Sequence, residues 1–234
     1  MQQNIIYEDH TMGQSLVARF MYATYLWMGI GLFVTGVVAM LVASSPRLLS
    51  LFYSNRMLLF AVMIGEFGLV FYLASHLMKM EYSKARNLFL LYAALNGVTM
   101  AGIFVVYTGS TIASAFFVTA GTFGTMCLYG YITKTDLSKF GNILFMGLIG
   151  IVIATIVNMF MASSGLSKAI SYIGVLLFCA LTAYDTQYLK RIALSTQDES
   201  SLLKLSLYGA LKLYLDFINM FLFILRIMGM GSRD

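Results

Sequence analysis

The chain has 234 residues, 60% of them hydrophobic and 11% charged, with a formal net charge of +5, a single proline and a mean hydropathy of +0.83. That balance excludes an ordinary water-soluble domain and describes a polytopic membrane protein. The positive charge gives no sign of nucleic-acid binding, because no basic stripe interleaved with aromatics accompanies it.

A membrane-spanning helix needs about 20 mostly apolar residues. Seven segments qualify: 20–43, 57–78, 87–107, 111–133, 142–162, 169–189 and 205–228. The expected fold is therefore all-α, a single transmembrane domain over residues 20–228 with a short arm at 1–19 and a tail at 229–234. Residues 1–18 are polar and lack an apolar stretch ending at a small-residue cleavage site, so no cleavable signal peptide is expected. The first helix then acts as its own insertion signal.

Pro46, in SSPR, ends the first helix in a short turn, since the residue before a proline prefers extended backbone. TKTDLSKFGN (133–142) reads as a polar hairpin with Asp136 and Lys139 in water. The longest connection, KRIALSTQDESSLLK at 190–204, is too short for a soluble domain. Alternate connections and ends carry nine Lys or Arg on one side (Arg19; Lys79, Lys84, Arg86; Lys134, Lys139; Lys190, Arg191, Lys204) against five on the other (Arg47, Arg56, Lys168, Arg226, Arg233). Basic loops stay in the cytoplasm, so the amino terminus is expected inside and the carboxyl terminus outside. Gly29, Gly31, Gly36, Gly121, Gly124, Gly147 and Gly150 are expected to let helices approach closely. Cys127 and Cys179 lie in apolar segments, which supports neither a disulfide framework nor a cysteine metal site.

Of the ten acidic residues, Glu8, Asp9, Glu81, Asp136, Asp198, Glu199 and Asp234 fall in loops or tails, leaving Glu66, Asp185 and Asp216 inside spans. A central aspartate opposes insertion by about 2.5–3.5 kcal/mol unless it is paired, protonated or hydrated. Asp185, in LTAYDTQYLK, precedes Lys190 by five residues and so lies about 7 Å inside that helix end. Lys212, Asp216 and Asn219 are spaced by four and three and share one helix face, which must look into the bundle.

The hairpin through 190–204 would bring Asp185 and Asp216 together, with Asp216 about one turn the deeper by helix rise. Two carboxyls in a low-dielectric site share a proton and titrate as a pair. The shared proton ties helix to helix, and its loss leaves like charges that repel or take up a cation. Alternatively each aspartate makes its own polar contact, Asp216 with Lys212 and Asp185 with Thr182 or Tyr188. Glu66, in MIGEFGLVF, is either a cation or proton station facing a cavity or a protonated acid bonded to a neighbouring helix. His76 would modulate a switch near neutral pH, or else is an interfacial residue beside Lys79.

LTAYDTQYLK and GALKLYLDFINMFLFILR, supported by TYLWMGIGLFVTGVVA and by YGYITKTDLSKFGNILFMGLIGIVIATIVN, resemble the transmembrane Bax-inhibitor-motif family in its bacterial YccA-like branch. The likeness covers nearly the whole chain. It implies seven helices with the last at the centre, and a pH-sensitive calcium leak of the inner membrane. The family's paired aspartates match Asp185 and Asp216, and its acidic residue on the second helix matches Glu66. A basic residue that engages the pair has no clean counterpart, His76 or Lys79 being nearest.

On this reading Glu66 lies in the path of a passive calcium-permeable leak, Asp185 and Asp216 form its pH-sensing latch with Lys212, Asn219 and His76 in support, and the three carboxylates make transient cation contacts. Oxygen ligands suit hard cations. Calcium is the permeating ion, and no cofactor is expected. A second reading is a non-catalytic modulator of a membrane-bound ATP-dependent protease, a partner the resemblance implies, with MQQNIIYEDHTMGQS as the segment gripped. An enzyme is not expected. An intramembrane aspartyl protease would use two aspartates on adjacent helices, but LYLDF lacks a GxGD context, and neither HExxH nor GxSxG is present.

Overall fold

The computed structural model describes the backbone of residues 2–196 and 199–231 and the side chains of 15–196 and 201–230. The side chains of Glu8, Asp9, Asp198, Glu199, Arg233 and Asp234, placed above in loops or tails, lie outside the described residues, as does the tail beyond Gly231. Within the described residues the chain is helical and has no strand. The helices are α1 (Gln2–Ser44), α2 (Pro46–Tyr53), α3 (Arg56–His76), α4 (Tyr82–Met100), α5 (Ile103–Val106), α6 (Gly109–Ile132), α7 (Gly141–Met161), α8 (Ser164–Ser195) and α9 (Glu199–Gly231). Single 3-10 turns at Leu77–Lys79 and Leu137–Phe140 lie among them.

Seven stretches are long and apolar enough to cross a membrane: Ser15–Ser44, Arg56–Lys79, Tyr82–Val106, Gly109–Ile132, Leu137–Met161, Ser164–Ser195 and Ser201–Met230. Each overlaps one expected segment. Their surfaces suit lipid, with Met57 84%, Phe71 71% and Phe160 79% exposed. The spans differ in enclosure, half of the most apolar window of the seventh being buried against 6% for the second. Along α9 the buried residues run all round the helix, including Leu213, Tyr214, Asp216, Phe217, Ile218 and Met220.

Four features depart from the sequence reading. The described part of the amino-terminal arm is helical and continuous with the first span. The connection read over 190–204 is far shorter, because α8 continues to Ser195 and α9 starts at Glu199. The reason is composition: KRIAL and SLLK are good helix formers that extend the spans with polar faces. Of the seven glycines assigned to close packing, only Gly31 and Gly147 have a neighbour within 4 Å of a Cβ built there, whereas Gly29, Gly36, Gly121, Gly124 and Gly150 face open space. The close approaches come instead at glycines such as Gly97, against the Thr35 carbonyl and Val38 at 2.7 Å, and Gly130, against the Ala183 carbonyl. Finally, Pro46 ends the first helix by starting another. Ser45 is extended (φ −106°, ψ 108°) and accepts a hydrogen bond from Leu48 N at 3.4 Å, so Pro46 opens the short α2.

The chain forms two compact units, one of Met1–Val106 with Leu189–Tyr214 and the other of Tyr107–Tyr188 with Leu215–Asp234. In the first, α1 packs on α4 and α4 on α3, while α2 touches α1 and α3. In the second, α6 and α9 meet through Phe123 and Phe217, whose ring centroids are 5.4 Å apart.

Candidate functional site

The spanning carboxylates divide between the units. Asp185 and Asp216 belong to the second, and Glu66 to the first.

Asp185 on α8 and Asp216 on α9 are 4% and 5% exposed. Their relative height follows from a neighbouring contact. The Phe178 and Phe223 rings stack obliquely at 6.0 Å, and a Cβ on Gly174 would fall 2.6 Å from the Phe223 ring, so α9 folds back along α8. Asp185 lies seven residues after Phe178, and Asp216 seven before Phe223. Seven residues make about 10.5 Å of rise and return to within about 20° of the same face. By that count each aspartate lies about 10.5 Å of helix rise from the Phe178–Phe223 contact, in the same direction along the two helices.

Their surroundings are polar. Thr182 donates to the Phe178 carbonyl on its own helix at 2.7 Å. Thr186, next to Asp185 and fully buried, has a hydroxyl that makes no hydrogen bond among the described residues. Gln187 fixes the neighbouring turn, its Nε2 donating to Thr135 O at 2.8 Å and its Oε1 accepting from Leu137 N at 2.9 Å. In that turn Asp136 is exposed and accepts from Ser138 N (3.0 Å) and Ser138 Oγ (2.7 Å), and Lys139 is exposed, as a hydrated hairpin requires. Asn219 Nδ2 donates to Leu215 O at 2.8 Å, one turn back on α9, and Asn219 and Lys212 are half-buried.

Glu66 is half-buried on α3 and has its contact on α4: Thr99 Oγ1 is 3.0 Å from Glu66 Oε1 and equally 3.0 Å from Asn96 O, so its single proton serves one of the two at a time. Further along α4, Asn96 Nδ2 reaches the Tyr92 hydroxyl at 3.5 Å. The Tyr92 ring meets that of Tyr214 edge-on at 5.9 Å, and the Tyr214 hydroxyl is 2.7 Å from Thr35 Oγ1. A line of polar groups thus runs through the first unit from α1 to α3. His76 stands apart from it, exposed, stacked on Tyr72 at 4.9 Å and with Nδ1 2.8 Å from Ser75 Oγ.

One residue that sequence reasoning passed over touches the Glu66 cluster. Tyr53, the last residue of α2, places its hydroxyl 2.7 Å from Thr99 O, 3.1 Å from Val98 O and 2.6 Å from Gly102 N. Burial raises its phenol above the usual range, the Gly102 amide lowers it, and the negative charge of Glu66 raises it again. The phenol therefore stays protonated, a donor, at neutral pH.

The sequence matches the family described as inhibitor of apoptosis-promoting Bax1 over residues 17–233. The chain belongs to the Bax inhibitor-1 family. Bacterial relatives of comparable length share it. The chain is 50% identical to "Inner membrane protein YbhL" of Escherichia coli over 212 residues, 90% of this chain and 91% of that one. An uncharacterized protein of Deinococcus radiodurans is 43% identical over 100% of this chain and 98% of its own, and one of Borreliella burgdorferi is 43% identical over 92% and 94%. Bax inhibitor-1 membership and seven apolar spans together make this an integral membrane protein.

Proposed function

We propose that this Bax inhibitor-1 family protein is a passive, pH-sensitive leak for calcium in the bacterial inner membrane, with its amino terminus in the cytoplasm. The observation that supports the reading is the burial of two spanning carboxylates, Asp185 on α8 and Asp216 on α9, each seven residues from the Phe178–Phe223 contact between those helices. Two such groups hold one proton between them at little cost and two charges only at great cost, so the protonation of the pair couples pH to helix packing. The next residue on α8, Thr186, carries a buried hydroxyl. Glu66, with Thr99, supplies a carboxylate and a hydroxyl in another span, the ligand chemistry of a hard cation.

The test is calcium entry into proteoliposomes across a pH series, wild type against Asp185→Asn with Asp216→Asn. The wild-type rate should change with pH and the double variant should lose that dependence. An unaltered profile in the double variant removes the pair from gating. A chain that conducts nothing but copurifies with a membrane-bound protease would favour the modulator reading instead.

A further inference from the structure

The third span is broken, and a side chain from another helix fills the break. Between Met100 and Ile103 the backbone leaves regular α-helical bonding. Ala101 N still reaches Gly97 O at 3.1 Å, but Phe104 N turns to Ala101 O at 3.2 Å. Gly102 N would donate to Val98 O in an unbroken helix. It donates instead to the Tyr53 hydroxyl at 2.6 Å. That hydroxyl donates its own proton to Thr99 O at 2.7 Å or to Val98 O at 3.1 Å, which Ala101 N also reaches at 3.3 Å. The phenol replaces a rung of the helix ladder, as an inserted side chain or water does at a kink. Gly102 is needed for the fit, since a Cβ there would lie 2.9 Å from the Tyr53 ring and 3.0 Å from its hydroxyl.

Loosened carbonyls at membrane depth are tolerated where protein satisfies them or where they line a wet cavity. Here a short helix satisfies them through the half-buried Tyr53, and none of its residues is fully buried. An eight-residue segment that touches α1 and α3 without burying any residue fully belongs to the low-stability end of a fold. The Thr99 side chain that flanks the break contacts Glu66 Oε1 at 3.0 Å, and Tyr53 lies within electrostatic reach of the same carboxylate. Val98 O and Thr99 O at the break, with Thr99 Oγ1 and the Glu66 carboxylate beside that turn, are all oxygens, the donor type hard divalent cations choose.

We propose that Tyr53 is the latch of an oxygen-lined cation site in the break of the third span: seated, its hydroxyl occupies the Val98 and Thr99 carbonyls, and withdrawn with α2, it leaves them and Glu66 to a divalent cation. This rests on the leak reading and adds a second control, on a different unit from the aspartate pair.

Tyr53→Phe keeps the ring and removes only the hydroxyl. In the full chain in detergent, hydrogen exchange of peptides spanning residues 98–104 should speed up by about threefold to tenfold, the range one hydrogen bond commands, with other peptides unchanged. In calcium-flux liposomes the same variant should conduct faster, and adding Glu66→Gln should return it to the rate of Glu66→Gln alone. Gly102→Ala, which pushes on the ring from the other side, should act in the same direction and guards against a peculiarity of one variant. Unchanged exchange shows that the hydroxyl is no rung and overturns the latch. Faster exchange with wild-type flux makes Tyr53 a helix cap only and overturns the gate. If wild type itself conducts no better than protein-free liposomes, the leak reading fails and takes the gate with it, while the exchange result still judges the latch.

Discussion

Glu66, Asp185 and Asp216 were legible in the sequence because a carboxylate inside a 20-residue apolar run contradicts its surroundings and demands a reason. Tyr53, Thr99 and Thr186 were not. A tyrosine or threonine in an apolar chain is unremarkable in composition; what singles out Tyr53 and Thr99 is a partner far away in the chain, such as Gly102 or Glu66, and what singles out Thr186 is a buried hydroxyl without one among the described residues. The relative depth of the aspartates was hard to read for a related reason, since loop length is a poor ruler and the Phe178–Phe223 contact offers a nearer reference point. The Tyr53 phenol, raised by burial, keeps its bonded, protonated form below about pH 10 and gives it up only as pH climbs through the raised value. Tyr53→Phe should therefore raise calcium flux by the same factor from pH 6 to pH 9, leaving the shape of the profile to the aspartates. The Thr35–Tyr214 pair, by contrast, is structural. Tyr214→Phe should lower stability in detergent unfolding by about 0.6 kcal/mol, the average for an interhelical hydrogen bond in a membrane protein, with about 1.7 as a ceiling.

At the scale of elements, hydropathy located every span yet missed the break between α4 and α5, because MAGIFVV is apolar throughout and carries no proline. Only Gly102 hinted at it, and an isolated glycine in a membrane helix is an ordinary sight. The short α2 was half legible: Pro46 marked its start, and Asn55 caps α3 through Leu58 N at 3.1 Å, but eight residues between two caps read as easily as a turn. Glycine positions were the weakest inference, since small-residue counts do not say which side of a helix meets a neighbour. Gly97 and Gly36 make the distinction measurable. Gly97→Ala presses a methyl on the Thr35 carbonyl and Val38, and overpacking of this kind costs about 1–3 kcal/mol, little of it recovered through helix propensity. Gly36→Ala meets nothing within 4 Å and should be neutral or stabilising. Thermal unfolding of the two variants side by side checks this, and equal losses would mean that the α1–α4 contact is looser than described.

For the molecule as a whole, seven spans and the family were readable because both rest on long stretches in which many residues agree, from TYLWMGIG near the start to FLFILR near the end. Function condenses onto a handful of side chains, and their roles depend on pairings that the linear order hides. Under the proposed function the chain has one physical action, letting a divalent cation run down its gradient through a membrane, with helices that respond to proton binding. The direct measurement is calcium entry into liposomes holding this chain alone, without nucleotide or any other ion gradient, over a series of pH values. The account predicts entry that scales with protein content, varies with pH and falls in Glu66→Gln. Entry equal to that of protein-free liposomes at every pH would contradict it.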